Sequence, residues 1–167
     1  MKNGKILIVG FFILMALLVG CSSIEDEAKE TNKAVEQTFK AEPNKTNNEY
    51  EDIAYYLPKD MKIDKKGDNN LIFKKGDQIF ILFVNPNEGK ASDAMYQSIQ
   101  SKDSKFEIDK TFKDKDRFGY VKAYEIDDKL YLLSVGIGGV KMTTETKVSD
   151  ITENATEMMK VVSSVKY

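Results

Sequence analysis

The chain reads as an α+β domain built on one antiparallel sheet of about six strands flanked by helices. Three observations predict this. Short apolar segments with strand character follow one another across residues 61–84 and 106–144, divided by turns rich in Gly, Asp and Asn. Two segments, 91–101 and 151–162, change to helical spacing. The turns between strands are short, which suits antiparallel hairpins and rules out parallel crossovers.

Ahead of the domain lies a segment of a different kind. Lys2 and Lys5 precede an apolar run from Ile6 to Val19, broken only by Gly10. As a helix this run would be roughly 21 Å long, short of the ~30 Å hydrocarbon core, so it is a poor permanent span. It ends in Leu18-Val19-Gly20-Cys21, and Cys21 is the only cysteine. Residues 1–21 resemble bacterial lipoprotein precursors, with Leu18, Val19 and Gly20 at the lipobox positions. The resemblance implies diacylglyceryl transfer to the Cys21 thiol, cleavage that removes 1–20, and a palmitate-bearing anchor at the extracytoplasmic side of the cell membrane. Two acyl chains suffice for stable anchoring where one is marginal, at about 0.8 kcal/mol per buried methylene.

Residues 21–49 read as the lipidated N-terminus and a flexible linker, the alternative being a helix that docks a partner. Ile24, Ala28, Val35 and Phe39 make a thin helical stripe, but the rest is polar and charged. A helix of this makeup is marginal alone. As a coil the segment would average about 30 Å end to end. Pro43 and the Asn-rich cluster after it end it.

The globular domain is expected at 50–167. Tyr55-Tyr56-Leu57 runs extended into Pro58. Met61 and Ile63 alternate as on a strand, Gly67 to Asn70 turns the chain, and Leu71 to Phe73 returns it. Lys75-Gly76-Asp77 is a second turn. Ile79 to Val84 is an unbroken apolar run, which predicts a central strand covered on both faces. Ala91, Met95 and Ile99 predict a helix over 91–101, packed on the sheet. Strand spacing resumes at Phe106, Ile108 and Phe112, then from Phe118 to Ile126 and from Leu130 to Ile137. Gly138-Gly139 reads as a bend before Val140, Met142 and Thr144. The closing helix carries Ile151, Ala155, Met158 and Val162 on one stripe. Asp150 is its expected N-cap, with Glu153 as capping-box partner.

In element order and spacing, residues 50–167 resemble the PsbP/Mog1-like α/β/α sandwich domains. The likeness rests on "YYLPKDMKI", the helix 91–101, "FGYVKAYEIDDKLYLLSVGI" and "ITENATEMMKVVSSVKY". It implies a non-catalytic accessory or binding protein. No functional residue of that family has a counterpart here.

Composition narrows the chemistry. The chain has 25 basic and 27 acidic residues and a net charge of −2, and loss of Lys2 and Lys5 moves it two units further negative. No basic block argues for nucleic acid. There is no histidine to act as a base near neutral pH, and lipidation would consume the only thiol. Ser101-Lys102 and Ser164 with Lys166 are poor nucleophile–base pairs at this spacing. A metal site would have to be all-oxygen; Asp114, Asp116, Gly119 and Glu125 fall at calcium-loop spacing, but Phe118 replaces a ligand and the flanks are strand-like. The expectation is no enzyme, no cofactor and no metal. Tyr55, Tyr56, Tyr96, Tyr120, Tyr124 and Tyr131 are expected at the sheet rims with their hydroxyls in water, the alternative being a partner-binding face. The reading that follows is a monomeric, membrane-anchored lipoprotein that binds another envelope protein. The alternative is a small-molecule or ion-binding lipoprotein serving a transporter or sensor.

Overall fold

The computed structural model describes residues 23–99 and 105–167. Its centre is a seven-stranded sheet in the order β3-β4-β5-β9-β8-β7-β6, with every neighbouring pair antiparallel. The strands are β3 (Lys62–Gly67), β4 (Asn70–Lys75), β5 (Gln78–Val84), β6 (Ile108–Lys113), β7 (Phe118–Asp127), β8 (Leu130–Ile137) and β9 (Val140–Lys147). Before them, β1 (Asn48–Tyr50) and β2 (Ile53–Tyr55) form a separate hairpin. The C-terminus pairs with this hairpin through Ala54 and Lys166. The α+β class and the antiparallel sheet are as expected, with one strand more than the sequence suggested.

Strand alternation sorts the side chains into two unequal faces. One face presents Leu71, Phe73, Phe80, Leu82, Met142, Leu133, Val135, Val121 and Ala123, each at most 1% exposed. Helix α3 (Ile151–Ser164) covers this face over β8 and β9, burying Ile151, Ala155, Met158, Met159 and Val162.

Helix α1 (Ile24–Lys40) lies beside α3 on the same face, over β6 and β7. This corrects the flexible linker expected for 21–49. Val35 and Phe39 are buried in the core, and Ile24 and Ala28 pack against it. Phe39 fits over Gly119, where an added Cβ would come within 2.7 Å of the ring. The polar residues on the buried side find partners in α3. Thr31 Oγ1 lies 2.7 Å from Thr152 Oγ1, and Glu27 Oε1 accepts from the Thr152 backbone N–H at 3.3 Å. Ser23 starts the helix, its hydroxyl accepting from Asp26 N–H. A helix that is marginal alone is held by what it packs on. The folded unit therefore includes Ile24–Lys40, ahead of the boundary expected at 50.

The closing helix starts differently from the sequence expectation. A 3-10 turn (Val148–Asp150) precedes it, and Asp150 occupies the N-cap position without making a cap hydrogen bond. Glu153 reaches Lys75 instead of closing a capping box. The Glu27 carboxylate takes over at this helix start, favourably placed against the N-terminal dipole.

The segment between β5 and β6 serves the opposite sheet face. The helix expected over 91–101 is confined at its start to α2 (Ala94–Ser98). Ser92 Oγ accepts from Ala94 N–H and donates to Glu88, so the chain before Ala94 is a turn. The segment crosses the top of the sheet through Asn85 N–H to Gly139 O and Phe118 N–H to Lys90 O. The β8–β9 turn lies under it, with Gly138 at φ +55° where Lys90 Cα leaves no room for a side chain. Among the described residues the helices thus do not flank the sheet evenly: two long ones share one face, and a short one covers one corner of the other.

Candidate functional site

The corner covered by α2 is a packed cluster. Tyr96 sets its ring against Phe118 and Tyr120, with both centroid distances 5.6 Å. Lys122, 3% exposed, brings its ammonium 4.0 Å from the Tyr96 ring centre and 4.5 Å from that of Phe106. It donates to Ile99 O at 3.1 Å and stands 3.7 Å from Asp109 Oδ2. Asp109 also accepts from the Tyr96 hydroxyl. Burial, then that hydrogen bond, holds the Tyr96 phenol above its ordinary range. Two rings, a carbonyl and a carboxylate together replace the water lost by the buried cation. One sign of this is legible beforehand, Lys122 standing between Tyr120 and Tyr124 on the same strand face. The cluster fastens α2 to the sheet.

Outside that corner no described helix or loop covers the same face. Ile79 is 47% and Ile81 42% exposed, in the middle of the sheet. Ile72, Phe83, Leu130, Leu132 and Thr143 around them are half-buried. This overturns the central strand covered on both faces: Phe80, Leu82 and Val84 are buried, while their neighbours face solvent. The surface is concave, forming an open groove of about 710 Å³ whose lining includes Ile79, Ile81, Leu130, Leu132 and Thr143. Asp77, Glu145 and Asp150 set the charge of its lower rim, with Lys147 the opposing cation. The exposed Ile79 and Ile81 in mid-sheet, where side chains normally meet a covering layer, make this face the candidate interaction site.

The other candidates resolve as follows. Cys21, Leu18, Val19 and Gly20 lie outside the described residues, as do Ser101 and Lys102. Half of the tyrosine rim is core, and Tyr56, Tyr96 and Tyr124 are half-buried. Tyr55, Tyr120 and Tyr131 are buried, and the hydroxyls of Tyr55 and Tyr120 have no hydrogen-bond partner. Burial pushes both of those phenols up, Tyr120 most strongly. Tyr120 fits because Gly136 faces it; a Cβ there would meet the ring at 2.5 Å. Ser164 Oγ accepts from Tyr56 N–H and donates to Val161 O, which makes it a structural clamp. Asp114 takes the Arg117 guanidinium on one oxygen and the Asp116 and Arg117 N–H groups on the other. That pairing holds its carboxyl below the usual range. Its hairpin turn is closed by these bonds, with β7 running on to Glu125. Among the described residues, no three His, Cys, Asp or Glu side chains are grouped to hold a metal ion. None of their helices is long and apolar enough to cross a membrane.

The chain matches no protein-family model, no curated protein and no solved structure.

Proposed function

We propose that this chain is a bacterial lipoprotein, anchored through Cys21 outside the cell membrane, whose domain binds another envelope protein and catalyses no reaction. The observation that carries the binding reading is the bare sheet face at Ile79 and Ile81. A soluble domain ordinarily covers such a face. The lipobox residues Leu18 to Cys21 support the anchor, and the lack of histidine supports binding over catalysis. The order of strands and helices supports the resemblance to PsbP/Mog1-like accessory domains, while the two long helices on one sheet face depart from an even α/β/α sandwich.

A second reading rests on the groove. Its volume of about 710 Å³ is within the range of small-molecule sites, roughly 300–1,000 Å³. Yet it lies open along the sheet and does not enclose a ligand, which favours a protein surface.

Metabolic labelling with palmitate tests the anchor: label on the wild-type chain, lost in Cys21→Ser, is the expected result. Retained label in the variant rules the anchor out. For the face, Ile79→Asp with Ile81→Asp should abolish co-purification of partners from detergent-solubilised membranes, while Lys113→Asp on the far edge should not. Equal recovery with both variants removes the face from the function.

A further inference from the structure

The docking of α1 fixes how the domain sits on the membrane; this inference rests on the lipid-anchor reading. Only Ser22 and Ser23 stand between Cys21 and the start of α1 at Ile24. At ~3.3–3.6 Å per residue that connection reaches at most about 10 Å. The flexible linker expected from sequence would have averaged about 30 Å. The first turn of α1 is also fixed relative to the sheet. Glu27 bonds to Thr152, two residues after Asp150 on the groove rim, and Ile24 packs against the core.

The sheet has two ends along its strands. The end near α1's start carries the turns at Asp77 and at Asp127–Lys129 and the 3-10 turn Val148–Asp150. At the other end, Phe39 and Arg117 stack at 4.5 Å, the β8–β9 turn meets residues 85–90, and Tyr167 donates to Glu88 O. The eight residues of β8 place these ends about 26 Å apart.

We infer that the domain rides directly on the bilayer, with the Asp77, Asp127–Lys129 and Val148–Asp150 turns as its lipid-facing surface. The lipid headgroup layer is the partner of that surface, and the covalent anchor supplies the attraction. Charge does not: Asp77, Asp127, Asp128 and Asp150 outnumber Lys129 and Lys147 there. Contact is therefore closer on zwitterionic than on anionic membranes. In this posture the strands stand upright and the bare face opens sideways. Its occupant arrives along the membrane plane, as a membrane-embedded protein would.

Because lipidation blocks Cys21, a second cysteine can be labelled alone in the full-length, membrane-processed chain. Fluorophores at Asp128→Cys and at Asn87→Cys, in vesicles of phosphatidylcholine bearing a headgroup quencher, read the two ends. Lipid on the N-terminal peptide is first verified by mass. The expected result is several-fold stronger quenching at position 128 than at 87, with a smaller difference when phosphatidylglycerol is added. Equal quenching in a lipidated chain overturns the posture alone and means α1 has undocked. A chain without lipid overturns both the anchor and the posture.

Discussion

At the scale of single residues, Lys75 shows how the two helical and strand layers are fastened by charge. Its ammonium meets Glu157 at 2.8 Å, Glu153 at 2.9 Å and Asp60 at 2.9 Å. Burial opposes the charge, but the three carboxylates outweigh it and hold Lys75 above the usual lysine range. The same contact holds Asp60 below the usual carboxylate range. A raised lysine contributes stability that is complete below about pH 10.4 and lost as pH climbs through its higher folded value. A lowered aspartate contributes above about pH 3.9 and fades as pH falls through its lower folded value. Lys75→Met should therefore cost about 1–2 kcal/mol in urea unfolding at pH 7, most of it from half-buried Glu157. The difference from wild type should be flat from about pH 4 to 10 and shrink below that window as Asp60 protonates. A second residue test concerns Gly138. Its left-handed backbone and the neighbouring Lys90 Cα leave an alanine nowhere to go, so Gly138→Ala should destabilise by about 2 kcal/mol or more.

At the scale of elements, α1 decides between a tether and a folded segment. Phe39→Ala should cost about 3–5 kcal/mol, because the ring is buried between Gly119, Phe112 and the core. A free linker would show no change in chemical denaturation. The stripe Ile24, Ala28, Val35, Phe39 was legible in the sequence, but the polar makeup around it read as a flexible linker. Its docking was not, because two of the positions facing α3 are Glu27 and Thr31, which read as solvent-facing until Thr152 supplies their partners. The strands of the second half and the apolar stripe of the closing helix were legible, while the helix start was not, and β7 and β8 are buried on both faces along Gly119–Ala123 and Leu133–Ile137. Strand β5 misled for a related reason. An unbroken apolar run says that both faces avoid polar groups, and it is silent on whether another layer of the same chain covers them. The Lys122 cluster needs Phe106, Tyr96 and Ile99 brought together across a crossover, which no local spacing encodes. Of the candidate site, only Ile79 and Ile81 could be picked out beforehand, and they were assigned to the core.

At the scale of the molecule, the distribution of charge and apolar surface says how the domain associates. Its two edge strands are blunted: β3 carries Lys62, Asp64, Lys65 and Lys66 with a bulge after Ile63, and β6 carries Asp109, Lys110 and Lys113. Charged edges resist strand addition, so partners meet the face. Replacing Ile79 and Ile81 by aspartate should cost about 1 kcal/mol per site, mainly the poorer strand propensity of aspartate, because both side chains are already about half exposed. Loss of binding in a chain that still unfolds cooperatively then separates a docking surface from a structural one. The most direct measurement is site-specific photocrosslinking in intact cells, with benzoylphenylalanine at position 81 on the bare face and at position 113 on the charged edge. The account predicts a discrete crosslinked membrane protein from position 81 and none from position 113. No crosslink from position 81, or the same products from both positions, would contradict it.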